Sequence, residues 1–277
     1  MIERITDRIY YMKHSEETDR PALGLVIGDD CCLVVDSGNS PRHAKEFQKE
    51  IEALKVPPVK YLVLTHYHWD HILGLSDWDA VVIAHQATEE YIAKYRNMKY
   101  DDEALELAKS RGIFGDAAIK SIQAEMEDRE NYHVGKIHAF YNDSMKIDLG
   151  NVTCVIRHID SPHTEDTSII YVPEAKTMFL GDCIYGCTKD GFNYYDDKKL
   201  FCMIDAIEEH DSQYYLCSHE SLCPRTEIED FWNNLRMSYE AAKKGLNLQE
   251  AMEEYRKATQ TEPTDEIEFF IKSFGSR

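Results

Sequence analysis

The chain is poor in basic residues and has no long apolar run. Lysine and arginine together number 31 among 277 residues, against 51 aspartates and glutamates, so the formal net charge at pH 7 is −20. A surface of this sign repels phosphate backbones, so nucleic acid is not expected as a partner. No stretch approaches the roughly 20 apolar residues that a membrane-spanning helix needs, so no membrane partner is expected either.

Export signals and paired-cysteine motifs are also missing. Residues 1–8 contain neither the apolar core of a signal peptide nor a cleavage site. The eight cysteines include the neighbours Cys31 and Cys32, but no Cys-x-x-Cys spacing. We therefore expect reduced thiols and a cytoplasmic protein.

The length and the pattern along the chain favour one domain. A chain of 277 residues can bury a large core, and no repeat or low-complexity linker divides it. We expect a single domain over residues 1–277. The sequence leaves open whether two copies associate as a homodimer.

Four side chains that can bind a metal follow the apolar run at residues 61–64. His66, His68, Asp70 and His71 lie within six residues of one another. On a strand, His66 and His68 project to the same side, and a turn beyond them can bring Asp70 and His71 inward. Imidazoles and a carboxylate suit zinc, manganese or iron. Burying several such rings without a partner would be costly, so the run predicts a metal site.

Three further candidate ligands occur later in the chain. His163, Asp182 and His219 each follow an apolar segment that is typical of a strand. Loops at the carboxyl ends of strands commonly gather functional residues in layered α/β folds. We therefore expect these side chains to join the first four.

The His-x-His-x-Asp-His run and the order of the later residues resemble the signature of the metallo-β-lactamase superfamily. The resemblance implies an α/β fold, a four-layer αββα sandwich. It also implies two divalent metal ions, zinc first, with manganese or iron as alternatives. The ligand set that it implies is His66, His68 and His163 for one ion, Asp70, His71 and His219 for the other, and Asp182 bridging both.

The same resemblance implies hydrolysis of a small-molecule substrate. A hydroxide shared between two metals would attack an ester, lactone, thioester, amide or phosphoester, and Asp70 would orient the nucleophile or pass a proton. The alternative is a mononuclear iron oxidoreductase on the same fold, similar to the sulfur dioxygenases. Metal content and persulfide-dependent oxygen uptake would separate the two.

Three residues near the ligands have two interpretations each. Tyr185 stands where the resembling lactonases place an oxyanion-stabilising tyrosine, or it is a packing aromatic. Cys183 stands near the place where one β-lactamase subclass has a cysteine ligand, or it is a packing thiol. The second interpretation is preferred, because the lysine that this subclass places shortly after its cysteine is here Gly186. Asp36 either supports the metal-binding loop or is a turn residue.

Apolar periodicity and turn residues predict the remaining elements. The helix that begins after Ser40 at Pro41 should end before residue 56. A helical insertion at about 89–130 either caps the metal cleft or packs as core. The other expectations are strands at 9–12, 23–27, 31–35, 80–85, 152–159, 168–172 and 177–180, extended chain at 132–140, and C-terminal helices within 227–274.

Overall fold

The computed structural model describes residues 2–189 and 192–275, and its core is a pair of β-sheets. One sheet has seven strands in the order β1-β2-β3-β4-β5-β6-β7, and the other has six in the order β15-β14-β11-β10-β9-β8. The strands of the first sheet are β1 (Ile2–Arg4), β2 (Ile9–Met12), β3 (Leu23–Ile27), β4 (Cys32–Val35), β5 (Val59–Val63), β6 (Val81–His85) and β7 (Ala139–Tyr141). Those of the second are β8 (Ser144–Asp148), β9 (Thr153–His158), β10 (Ser168–Val172), β11 (Thr177–Gly181), β14 (Tyr214–Cys217) and β15 (Cys223–Pro224). A separate hairpin joins β12 (Cys187–Lys189) to β13 (Phe192–Tyr194).

Helices cover the outer face of each sheet. Those packed against the first sheet are α1 (Pro41–Leu54), α3 (Thr88–Arg96), α4 (Asp102–Ser110) and α5 (Asp116–Glu125), with the single turn α2 (Trp69–Ile72) at the end of β5. Those packed against the second are α6 (Asp197–Glu208), α7 (Arg225–Ala242), α8 (Leu248–Thr259) and α9 (Asp265–Gly275). Among the described residues, no helix is both long and apolar enough to cross a membrane.

Alternating side chains on the strands separate three apolar layers. On β5, Leu62 packs with the buried residues of α1, whereas its neighbour Val63 faces the second sheet. Phe179 of β11 lies in that central layer between the sheets, and Leu180 packs against the helices beyond. A strand turns successive side chains to opposite faces, so both sheets are buried on both sides. The result is the four-layer αββα sandwich that the family resemblance implied.

The strand directions bring several loops to one edge of the sandwich. Strands β4, β5 and β6 run parallel, as do β11 and β14, and β10 runs antiparallel to both β9 and β11. The carboxyl ends of β9 and β11 therefore point the same way. Every candidate ligand follows the carboxyl end of β5, β9, β11 or β14. The topology therefore brings together residues that are up to 153 positions apart, from His66 to His219.

Several segments differ from the sequence-based expectations, among them residues 132–138 and helix α6 (Asp197–Glu208). Residues 132–138 form no strand, and the sheet resumes only at β7. Here Val134 is buried and the Tyr132 hydroxyl donates to the Leu73 carbonyl, so the segment packs on the core through side chains. Helix α6 was not predicted, although its buried Leu200, Met203, Ile204 and Ile207 have helical spacing.

Candidate metal centre

Asp36 fixes the loop that follows β5. Its backbone has a positive φ of 63°, and its buried carboxylate accepts hydrogen bonds from Thr65 N at 2.7 Å and Thr65 Oγ1 at 2.8 Å. The same carboxylate lies 2.8 Å from His71 Nδ1. This contact places the proton on Nδ1 and leaves Nε2 of His71 free to bind a cation.

The single turn α2 brings the second half of the motif inward. His68 precedes it in extended conformation, and His71 N donates to the His68 carbonyl at 3.0 Å. Asp70 and His71 consequently face the side on which His66 projects, as the sequence predicted. All three of these side chains are buried.

Gly181 allows the two sheets to meet at the site. It ends β11 with a φ of 56°, and a Cβ placed there would lie 2.7 Å from the Thr65 Cβ. A side chain would therefore push the loop after β5 away from the loop after β11. The absence of one lets Asp182 approach His66 and His71.

The structure brings all seven predicted ligands together in two groups. Within each group, the candidate ligand atoms lie no more than 4.8 Å from one another. The first group is His66, His68, His163 and Asp182, and the second is Asp70, His71, Asp182 and His219. Asp182 alone belongs to both.

The distances around Asp182 fit a metal better than hydrogen bonds. Its Oδ2 lies 3.6 Å from Nε2 of both His66 and His163, 3.5 Å from Nε2 of His71 and 3.7 Å from Nε2 of His219. These separations exceed ordinary hydrogen bonds. Ligands held about 2.0–2.1 Å from a tetrahedral zinc ion lie roughly 3.3 Å from one another, which is close to the observed spacing.

Several of the converging atoms make no hydrogen bond to the protein. Among the residues that the structure describes, Nε2 of His66, Nε2 of His71 and Oδ1 of Asp182 are buried without a hydrogen bond. Burial also lowers the pKa of His66 and lowers that of His68 to about 4, so both rings are neutral. Neutral imidazoles with free lone pairs are the form that coordinates metals. The donor set therefore fits a pair of divalent cations.

The second group is richer in negative charge. Burial acts to lower the pKa of His71 and His219, but neighbouring carboxylates reverse the effect: Asp70 and Asp36 raise the pKa of His71, and a hydrogen bond to Asp70 raises that of His219 to about 9. Asp70 Oδ2 lies 3.1 Å from Nε2 of each histidine. Without a cation these rings hold protons, so a metal would displace protons when it binds.

A cavity of about 430 Å³ opens onto both groups. One wall consists of candidate ligands, namely His68, Asp70, Asp182 and His219. The opposite wall belongs to the helical insertion and includes Lys94, Tyr95, Gly112, Ile113, Phe114, Gly115 and Ala118. The insertion thus shapes the cleft while its buried residues also pack on the first sheet.

Tyr185 and Cys183 differ in their relation to the site. The Tyr185 ring centroid lies 6.2 Å from that of His163 and 6.4 Å from that of His219, but its hydroxyl donates to Glu220 Oε1 at 3.2 Å. Tyr185 lines a separate cavity, so its oxyanion role stays a prediction. Cys183 is fully buried among apolar residues, which agrees with a packing thiol.

Sequence reasoning missed two charged residues of the cavity wall, Asp19 and Lys94. Asp19 has a positive φ of 55°, and its Oδ1 lies 3.7 Å from His219 Nδ1. Lys94 lies on α3. Neither residue stands in a motif, and no signal in the sequence distinguishes them from other surface charges.

Comparison with known proteins agrees with this geometry. Residues 20–208 match the family model described as the metallo-beta-lactamase superfamily. The chain belongs to this superfamily. No curated protein matches this superfamily member significantly in sequence.

Solved structures share the superfamily fold at low sequence identity. A metallo-beta-lactamase from Pontibacter korlensis has a TM-score of 0.59 at 15% identity, over 84% of this chain and 97% of its own. A metallo-beta-lactamase family protein from Thermus thermophilus has a TM-score of 0.59 at 15% identity, over 98% of this chain and 92% of its own. The stereoselective inverting sec-alkylsulfatase Pisa1 from a Pseudomonas species has a TM-score of 0.64 at 15% identity, over 99% of this chain and 48% of its own length. These likenesses establish the fold.

Proposed function

We propose that this superfamily member is a hydrolase that uses two divalent metal ions, with zinc as the first expectation. The observation that supports it is the position of Asp182, whose Oδ2 is nearly equidistant, at 3.5–3.7 Å, from imidazole nitrogens of both ligand groups. A single carboxylate between two sets of imidazoles suits a site that holds two cations. The proposed substrates are esters, lactones, thioesters, amides or phosphoesters of small molecules.

Some residues of the proposed site would hold the metal ions, and Asp70 would also transfer a proton. Two divalent cations in this site would lower the pKa of bound water and polarise the bond to be cleaved. Asp36 keeps His71 in the tautomer that binds through Nε2. The carboxylate of Asp70 borders the cavity, where it is placed to accept a proton from the nucleophile and return it to the leaving group.

The ligands leave the choice of substrate open. The superfamily fold serves an alkylsulfatase and several metallo-beta-lactamases among the solved structures, so a sulfate ester and a β-lactam belong in any substrate screen. We also propose a reducing, cytoplasmic environment, because all eight cysteines carry free thiols.

The first experiment combines metal analysis with a chemical screen. Protein purified without added metal would be analysed for zinc, manganese and iron, and then assayed with p-nitrophenyl esters, phosphodiesters, a sulfate ester, lactones, thioesters and a chromogenic β-lactam. We expect close to two metal ions per chain and turnover of at least one ester class. One iron per chain, with persulfide-dependent oxygen uptake and no hydrolysis, would instead establish the dioxygenase alternative.

Two substitutions test the ligand assignment directly. We expect His68→Ala and Asp182→Ala to abolish turnover and to reduce the bound metal, while the far-ultraviolet circular dichroism stays that of the native fold. His133→Ala is the matched control, since His133 is exposed and lies away from the cavity. Full activity in either ligand variant would refute the proposed centre.

A further inference from the structure

The cavity beside the metal centre carries a cation that the proposed mechanism does not use. Lys94 is the one lysine or arginine among the described residues that line it. The side chain is solvent-exposed, so its ammonium group is available to a molecule that enters the cavity. The chain has a net charge of −20, so a lysine side chain beside the candidate metal centre differs in sign from most of the surrounding surface charge.

Aromatic rings hold Lys94 in place. Its Nζ lies 4.7 Å from the ring centroid of Tyr67 and 4.8 Å from that of Tyr95. Tyr67 is itself fixed, because it stacks on Tyr91 with centroids 4.4 Å apart. Tyr67 also adjoins the ligand His68 in sequence. Cation–π contacts orient an ammonium group without neutralising it, so Lys94 keeps its charge and its donors.

No carboxylate competes for Lys94. Within the described parts of the chain, no acidic oxygen approaches its Nζ to the 4.0 Å of an ion pair. Arg96, two residues further along α3, shows the contrast, because it pairs with Glu89 at 2.8 Å. Three carboxylates line the cavity, those of Asp19, Asp70 and Asp182, and the four positive charges of two divalent cations would exceed their three negative charges. The loaded cavity would thus be positive inside an acidic protein.

We propose that Lys94 binds a negatively charged group, such as a carboxylate, that the substrate carries away from the bond to be cleaved. This inference rests on the proposed hydrolase function and narrows its substrates to small organic anions. A charge-assisted hydrogen bond to a preorganised ammonium is worth about 1.5–3 kcal/mol, or roughly 10- to 100-fold in affinity. The acidic surface repels anions at long range, and a local charge contact with Lys94 would offset part of that repulsion.

A matched pair of esters tests the proposal. The mono-p-nitrophenyl ester of adipic acid and p-nitrophenyl hexanoate have the same reacting group, and they differ at the far end of the acyl chain in a carboxylate. For Lys94→Met we expect kcat/KM for the adipate ester to fall by roughly 10- to 100-fold, mainly through KM, while kcat/KM for the hexanoate ester changes less than about twofold. Lys94→Arg should retain most of the preference. Lys120→Met, at an exposed position on α5, is the control and should behave as the unsubstituted protein does.

A binding measurement separates this inference from the proposed function. Calorimetric titration of the zinc-loaded protein with adipate requires no turnover, and we expect Lys94→Met to weaken adipate binding by at least about tenfold relative to Lys120→Met. If neither ester is cleaved but this difference appears, the anion site stands and the esterase activity fails. Equal adipate binding in the two variants, absence of binding in both, or an equal loss of activity on both esters in Lys94→Met would overturn the anion site.

Discussion

Asp36, which follows β4, positions the loop that follows β5. Its carboxylate makes three contacts, and all of them go to the loop after β5. The positive φ at this position is unfavourable for an aspartate by itself, so the contacts to Thr65 and His71 must maintain it. The residue therefore acts by positioning His71.

We expect Asp36→Asn to weaken metal binding by roughly 10- to 100-fold. An amide has one acceptor oxygen, and its NH₂ group would face a donor, so the His71 ring loses its fixed tautomer. Competition with a chromogenic chelator measures the affinity. Asp79→Asn, at an exposed position, is the control. Unchanged affinity in Asp36→Asn would show that the loop holds its shape without this carboxylate.

Tyr185 allows the oxyanion hypothesis to be tested. Its hydroxyl donates to Glu220, and in this arrangement it is not available to a substrate in the neighbouring cavity. We therefore expect Tyr185→Phe to lower kcat less than about tenfold on any substrate that the screen identifies. Loss of an oxyanion donor typically costs about 10²–10³ in kcat, so a decrease of that size would restore the catalytic role.

Residues with distinctive chemistry could be predicted, and ordinary charged residues could not. The seven candidate ligands and Asp36 stand next to strand ends in a recognisable order, which is why the sequence identified them before the structure brought them together. Lys94 and Asp19 are each one of many lysines and aspartates. Their place at the cavity depends on the path of α3 and of the loop before β3, which no local pattern encodes.

At the level of elements, α5 is tied to the loop before β3 by the buried carboxylate of Glu125. Arg20 donates to it through Nε at 2.8 Å and Nη2 at 2.9 Å, and Ser40 Oγ donates at 3.0 Å. Burial acts to raise the pKa of Glu125, but these hydrogen bonds outweigh it and lower the pKa to about 2. The network also holds Asp19, next to Arg20, at the cavity wall.

The sign of the pH effect follows from this lowered pKa. Because the folded state binds the proton more weakly than the unfolded chain, Glu125 contributes stability above its unfolded pKa near 4.5, and that contribution is lost as the pH falls toward 2. The expected amount is about 3 kcal/mol. We expect Glu125→Gln to unfold at lower urea concentration at pH 7 and to lose less stability than the unsubstituted protein between about pH 4.5 and 3. Parallel pH profiles for the two proteins would contradict this, and Glu127→Gln serves as the exposed control.

The elements themselves were predictable where the periodicity was clean. The helix from Pro41 to Leu54 and strand β10 agree with their expected bounds, because capping residues, prolines and apolar spacing all favour the same ends. Extended chain was expected at 132–140, but only Ala139–Tyr141 pairs in the sheet, and residues 132–138 contact the core through side chains such as Tyr132. Helix α6 was not predicted despite its Asp196 cap, since the aromatic residues before it give no clear boundary.

On the scale of the whole molecule, the candidate metal centre is built from loops of both sheets together. The candidate ligands come from loops of both sheets, and one wall of the cavity comes from an insertion between β6 and β7. Because parallel neighbours such as β4 and β5 require long connections, the ends of these strands collect at one edge, and distant ligands meet there. The two halves of the sandwich are therefore coupled through the proposed metals.

Removal of metal should consequently lower the stability of the entire molecule. Without cations, Nε2 of His66 and Oδ1 of Asp182 remain buried and unpaired. A ligand at about 100 times its dissociation constant stabilises the native state by about 2.7 kcal/mol, which corresponds to roughly 5 °C in Tm for a protein of this size. We expect dialysis against EDTA to lower Tm by about this amount and excess zinc to restore it, as measured by circular dichroism. In His68→Ala the shift should be smaller, because one ligand group is already incomplete. Equal Tm values for the chelated and zinc-loaded native protein would mean that the two sheets do not depend on metal for their association at this edge.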